Sequence, residues 1–257
     1  MKDLSKISLV TYTNLNCHDI LRPHIGQIDK FASKFKSHIF TDGVPDFGFN
    51  KDRHQISIYD DSEPYYKQWL TCLDNVEEDY IIYLQEDFWL FDHTDYSEIL
   101  RCKKFLDESD YSFVRLAKYD LRLGMHRPKS YKIKDFPDVR LDDNIFDAYC
   151  HDSDCYSFMM QATLWKKKDF IKLYSQAKST RIESPEWWEA TMDCKIKGAF
   201  YHQEDMPKLG PWHWQSKTLP HISTAVGYGK WTLSVHGGRL LDIINEYGID
   251  VKKRGTR

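Results

Sequence analysis

Tyr80-Ile81-Ile82-Tyr83-Leu84-Gln85-Glu86-Asp87, continued by Phe88-Trp89-Leu90-Phe91, is the stretch with the sharpest change of character in the chain. Tyr80 to Leu84 is aromatic or aliphatic without a polar break. Such a run reads as a strand buried on both faces, the usual state of a central parallel strand. It then gives way to Gln85, Glu86 and Asp87. A strand leaving the core into two carboxylates presents them at the carboxyl edge of the sheet, where open α/β sheets bind ligands. Burying such charges unpaired is costly, so they are expected to be solvated, paired or bound to a metal. Two readings follow: an ordinary strand end with solvated acids, or a divalent-metal site that holds a diphosphate.

The flanking sequence alternates strand and helix. Ile7 to Tyr12 reads as a first strand. Ile20, Leu21, Ile25, Ile28, Phe31, Ala32 and Phe35 recur at helical spacing, with Pro23 tolerable only near the first turn. His38 to Thr41 is a second strand, closed by Asp42-Gly43, and Gln55 to Tyr59 a third. A helix starts at Ser62 and Pro64 with Tyr66, Trp69, Leu70, Leu73 and Val76 inward. After the central strand come a helix over Tyr96 to Glu108 and a strand over Tyr111 to Leu116. This alternation predicts a three-layer α/β/α sandwich with a mostly parallel central sheet.

From Lys118 to Asp154 the pattern fails; a polar stretch of that length inside a compact domain is usually functional or mobile. Strand character returns at Tyr156 to Thr163, followed by a helix over Lys167 to Gln176. Next come a loop entering a helix at Glu183 to Glu189, a short strand at Gly198 to His202, and a Gly- and Trp-rich region. An amphipathic helix spans Leu240 to Tyr247, and the basic tail, Lys252 to Arg257, reads as frayed. No linker or internal repeat appears, so 1–257 reads as one domain. About 1–117 form a nucleotide-binding half and about 118–257 an irregular, aromatic acceptor half.

Composition narrows the classes. With 41% hydrophobic and 29% charged residues the chain is an ordinary globular one, and a net charge of −3 argues against a dedicated nucleic-acid binder. No apolar run approaches the ~18 residues of a membrane span. No signal peptide is evident and the six cysteines are scattered, so they read as reduced thiols of a cytoplasmic protein. Aromatic residues make up 15%, a composition that suits stacking on sugar rings as well as core packing.

Taken in order, these landmarks resemble the GT-A-fold glycosyltransferases, in particular the small glycosyltransferase-like proteins of bacteria and large viruses. The matching segments are Thr11-Tyr12, Thr41-Asp42-Gly43, the apolar strand into Glu86-Asp87-Phe88, Gln161-Ala162 with Trp165-Lys166-Lys167, Glu183 to Glu189, and Gly229-Lys230-Trp231. The resemblance implies a Rossmann-like nucleotide-sugar enzyme that moves a sugar, from a UDP-sugar above all, to a hydroxyl of a glycan or other acceptor. It implies Mn²⁺ or Mg²⁺ on oxygen ligands. The family's acidic motif is commonly Asp-x-Asp. Gln85 stands at the first acidic place here, so Asp87 is the expected metal ligand, with Glu86 as helper. Thr11, Tyr12, Asp42, Lys67, Gln85, Glu86 and Lys230 are the expected donor-binding residues. The proton acceptor is expected to be Glu189, then Glu183, then Glu186. A late histidine ligand, where the family has one, would be His202, His213, His221 or His236. Two other readings stay open. One is a non-catalytic module of the same fold, motivated by Gln85. The other is a sugar nucleotidyltransferase, which Thr13-Asn14-Leu15-Asn16 disfavours because that class puts a Gly-rich loop after the first strand.

Overall fold

The computed structural model describes residues 3–118, 140–147, 161–176, 196–209 and 213–257. β1 (Ile7–Tyr12), α1 (His18–Phe31), β2 (Lys36–Thr41), β3 (His54–Ile58), α2 (Tyr65–Leu73), β4 (Tyr80–Gln85), β5 (Trp89–Leu90), α3 (Tyr96–Asp107) and β6 (Phe113–Arg115) come first. β7 (Arg140–Asp142), β8 (Ile145–Asp147), β9 (Thr163–Lys166), α4 (Lys167–Ser175) and β10 (Gly198–Tyr201) follow. The short strands β11 (Lys208–Leu209), β12 (His213–Trp214), β13 (His221–Ile222), β14 (Val226–Gly227) and β15 (Lys230–Trp231) lead to a C-terminal helix, Leu233–Glu246.

Nine strands form one sheet in the order β3-β2-β1-β4-β9-β6-β10-β8-β7. β3, β2, β1 and β4 are parallel, and β10 is parallel to β6. Only β8 and β9 run against the other strands of this sheet. Alternation along β1 and β4 sends side chains into two separate cores. Leu9, Ile82 and Leu84 pack with Ile28 of α1 and Ile99, Cys102 and Leu106 of α3. Val10, Ile81 and Tyr83 pack with Trp69 of α2 and Phe170 and Tyr174 of α4. A sheet covered by helices on both faces needs strands that are apolar on both faces, and Tyr80 to Leu84 supplies one. The chain leaves β1 for β2 on one side and reaches β4 on the other. The switch point therefore lies between β1 and β4, where Tyr12 pairs with Gln85.

Several expectations need correction. A strand over Thr163–Lys166 runs past the expected end at Thr163 and straight into α4; 156–160 of the strand read at Tyr156 to Thr163 lie outside the described residues. The stretch after Lys118 supplies the β7–β8 hairpin at one end of the sheet. The helix expected over Leu240 to Tyr247 falls in the second of two helical pieces within Leu233–Glu246, separated by a kink at Gly237 (φ 47°); the piece before the kink was not expected. Pro23 lies in the second turn of α1, not the first. The basic tail is docked, not frayed. Trp231 N–H donates to Gly255 O (3.0 Å) and Arg257 N–H to Trp231 O (2.8 Å). Arg254 Nε and Nη2 clamp both oxygens of Asp19 (2.5 Å each), a bidentate pair that fixes the segment. Cys17, Cys72 and Cys102 are free thiols. Among the described residues, no helix is long and apolar enough to cross a membrane.

Packing between β6 and β10 gives a direct test. Gly198 pairs with Phe113, and a Cβ at Gly198 would stand 1.9 Å from Phe113 Cζ. Phe113 is itself held against Trp165, 4.3 Å between ring centroids. Gly198→Ala is expected to destabilise by roughly 1–3 kcal/mol through overpacking, read as a lower urea midpoint. An unchanged midpoint would mean that the ring has room to yield.

Candidate functional site

β4 ends at Gln85, and the next three residues form a tight turn in which Phe88 N–H donates to Gln85 O (3.0 Å). Glu86 and Asp87 occupy the centre of that turn, so strand alternation no longer sets where they face. The carbonyls of Glu86, Asp87 and Phe88 are each held by a different group, two of them distant in the chain. Trp89 Nε1 donates to Glu86 O (3.1 Å) and also to Ile20 O (3.2 Å). Ala225 N–H donates to Asp87 O (3.1 Å). His24, buried in α1, bonds Phe88 O through Nδ1 (3.1 Å) and Thr11 Oγ1 through Nε2 (2.9 Å). A carbonyl only accepts, so Nδ1 carries the proton and Nε2 accepts from the threonine hydroxyl. Burial lowers the His24 pKa to about 3, so the ring is neutral. Holding the carbonyls of a turn in this way fixes two carboxyls in place, the arrangement a binding site requires.

The two acids differ. Glu86 is half-buried, and burial raises its pKa against the pull of the Cys17 thiol, which hydrogen-bonds to it, and of Arg254. Asp87 is 8% exposed. Burial, and after it the charge of Glu86, raise its pKa well above the ordinary carboxylate range; Val226 N–H, 3.4 Å from Oδ2, offsets little of this. Two adjacent carboxyls so placed are short of positive charge. Their oxygen chemistry fits a hard divalent cation, which would favour the ionised form of both. No group of three His, Cys, Asp or Glu capable of holding a metal occurs among the described residues. A cation here would therefore take its remaining ligands from water or from a bound phosphate.

The other expected residues are distributed around this turn. Thr11 is fully buried, with its hydroxyl committed to His24. The Tyr12 ring stacks on Tyr59 (4.9 Å, 4°) and on Trp69 (5.4 Å, 17°), and its hydroxyl donates to Gln68. Asp42 Oδ1 accepts Leu15 N–H (2.7 Å), tying the end of β2 to the loop after β1. Lys67 is exposed and paired with Glu63 (3.0 Å) one helical turn away. Gln85 ends β4 opposite Tyr12. Lys230 is exposed on β15, opposite Gly227. Thus Thr11, Tyr12, Asp42, Gln85, Glu86 and Asp87 lie at the carboxyl ends of β1, β2 and β4. Glu183, Glu186 and Glu189 lie outside the described residues.

The late histidines separate. His202 follows β10, with its ring 5.9 Å from Trp214, and His213 is on β12. His221 is buried in β13, which pairs with β5. Its Nδ1 donates to Leu219 O (2.6 Å), its ring lies 5.3 Å from Phe88, and burial lowers its pKa to about 4. Burial, then His221, hold His236 at about 4. Sequence reasoning missed His24, Trp89, Cys17, Val226 and Arg254. His24 did carry a signal: it lies one turn from both Ile20 and Ile28, on the apolar face of its helix.

No protein-family model and no curated protein matches the sequence. Solved structures do match. Galactosyltransferase LgtC, in complex with donor and acceptor sugar analogues, aligns over 96% of this chain and 99% of its own at 12% identity and a TM-score of 0.56. TarS of S. aureus aligns over 98% of this chain but 40% of its own, at 12% identity and a TM-score of 0.48. The bifunctional IspDF of Campylobacter jejuni aligns over 78% and 50%, at 11% and 0.44. The chain thus spans less than two thirds of TarS and of IspDF. At such identities the likeness to LgtC shows the fold, a GT-A-type α/β/α sandwich, as the ordered sequence landmarks implied.

Proposed function

We propose that the chain is a glycosyltransferase that moves a sugar from a nucleotide diphosphate sugar, UDP-linked by preference, to a hydroxyl of a glycan or other acceptor. The observation that carries this reading is the fixed Glu86-Asp87 turn at the β1–β4 switch point of a GT-A-type fold. LgtC, which shares that fold, was solved with donor and acceptor sugar analogues, and this supports the same two ligand classes here.

In this reading Asp87, aided by Glu86, holds Mn²⁺ or Mg²⁺. When bound, the cation supplies charge neutralisation for the departing diphosphate. The chain's own residues do the rest. His24, Trp89 and Ala225 keep the carboxyls in place. Asp42 shapes the loop after β1 that borders the base and ribose. Exposed Lys230 offers a point charge to a phosphate oxygen. A carboxylate must take the acceptor proton, and Glu189, with Glu183 and Glu186 behind it, remains the choice. Substituting each by Gln in turn identifies it as the one whose loss stops transfer and spares nucleotide binding.

Incubation with a panel of nucleotide sugars and Mn²⁺, read by released nucleotide, tests the chemistry without knowledge of the acceptor. Release from one sugar nucleotide and its suppression by EDTA are expected. Gln85 in place of an acid favours a second reading, a non-catalytic nucleotide-sugar-binding module. UDP binding without nucleotide release from any donor or acceptor would establish it.

A further inference from the structure

β14 and β15 are joined by two residues, Tyr228 and Gly229, both with left-handed φ (52° and 75°). Two-residue hairpins of this kind favour Asn-Gly or Asp-Gly, because the first position needs a positive φ that side chains with a bulky Cβ resist. Among the described residues Tyr228 is the one non-glycine residue with such a φ. It is also 78% exposed, more than any other large apolar side chain described. The position thus combines a strained backbone with a largely exposed aromatic ring, whose cation–π pair with Arg257 contributes little at so exposed a site. Strain of this kind collects at ligand sites, where the surrounding structure holds it in place.

The hairpin does not stand by itself. Its base is fixed by Trp231, which is fully buried against Trp89 (5.5 Å). Its other strand touches the acidic turn through Val226 N–H on Asp87 Oδ2. Tyr228 is two residues beyond Val226, about 7 Å of extended chain. The Arg257 guanidinium lies 4.8 Å from the Tyr228 ring centroid, and Lys230 is on the returning strand. An exposed ring with one cation against it and a second two residues along the chain therefore stands on the hairpin whose Val226 touches the carboxyl assigned to the diphosphate. Aromatic rings bind the apolar face of a pyranose, and the cations suit the phosphates attached to it.

We infer that Tyr228 is a stacking platform for the sugar of the nucleotide-sugar donor, presented by a hairpin whose strain is kept for that purpose. This rests on the glycosyltransferase reading and extends it to a residue that selects the sugar.

The test compares the wild type, Tyr228→Asn and Tyr228→Phe by calorimetry, with Mn²⁺ and three probes: UDP, UDP-glucose and UDP-galactose. In the wild type at least one UDP-sugar is expected to bind more tightly than UDP. Tyr228→Asn should lose that advantage, about 5- to 10-fold, and keep its affinity for UDP, and Tyr228→Phe should retain both. Asn tolerates a left-handed φ, so Tyr228→Asn should also melt no lower than the wild type, which a purely structural ring clamping Arg257 would not allow. Equal UDP-sugar advantage in Tyr228→Asn and wild type overturns the platform, as does a wild type that binds UDP and both sugars equally. A parallel loss of UDP affinity in Tyr228→Asn also overturns it, since the hairpin would then act only through Asp87. No UDP binding by the wild type overturns the UDP-sugar reading on which the platform rests.

Discussion

Asp87→Asn is expected to abolish the Mn²⁺-dependent part of nucleotide affinity and to lower transfer by on the order of 100-fold or more, the effect of removing one preorganised electrostatic partner. It should do so without loss of fold. Asn is nearly isosteric, its carbonyl can still accept from Val226 N–H, and the Asp87 backbone bond to Ala225 is untouched. The same substitution should stabilise the metal-free protein. Burial and the neighbouring Glu86 raise the folded-state pKa of Asp87. A group whose folded pKa is raised contributes stability that is complete below its unfolded value and is lost as pH climbs through the folded one. At neutral pH in EDTA, Asp87 is therefore a liability. Asn in its place should add about 1–2 kcal/mol, the usual gain from relieving a strained functional position. The gain should shrink as pH falls toward the ordinary aspartate range. Mn²⁺-dependent UDP affinity equal to the parent's would move the cation elsewhere. A variant less stable than the parent at neutral pH would mean that the fold already compensates the carboxylate.

That opposition between stability and binding was half legible in the sequence. The apolar run of Tyr80 to Leu84 and its abrupt end in acids are local features, and the strand and its carboxyl edge followed from them. So did β1, β2, β3, α2 and α3, whose bounds lie within about three residues of the expected ones, because period and punctuation are local too. β9 runs beyond the expected strand end at Thr163 for the same reason: the chain stays apolar through Leu164 and Trp165, and composition does not say where pairing stops. What fixes the acids could not be read locally. His24 is 64 residues from Phe88, Val226 is 139 from Asp87, and Arg254 is 235 from Asp19. None of these pairs carries a motif, since a neutral buried histidine or a tail arginine looks the same whether or not it has such a partner. The tail read as frayed because its charge is visible in the sequence and its carboxylate partner is not.

His24 carries the second large expected effect. Replacing it with Leu keeps roughly the same volume on the apolar face of α1 but leaves the fully buried Thr11 hydroxyl and the Phe88 carbonyl without the bonds it provides. Each group so stranded costs about 1–3 kcal/mol, so His24→Leu should lower the unfolding free energy by roughly 2–5 kcal/mol. The pH dependence identifies the cause. Burial holds His24 near 3, far below the ordinary histidine value. A depressed folded pKa gives stability that is complete above the unfolded value, near 6.5, and is lost as pH falls toward 3. His221 and His236, held at about 4, lose stability in the same window, and Asp87 acts with the opposite sign. The wild-type profile is therefore a sum, but the difference between wild type and His24→Leu isolates one ring. That difference should be largest at neutral pH and narrow by about 1.4 kcal/mol per pH unit between pH 6 and 4. Urea unfolding at four or five pH values measures it. Parallel profiles would mean that His24 takes up a proton in the folded state as readily as in the unfolded one. The burial of a neutral ring between β1 and the acidic turn would then not be what His24 contributes.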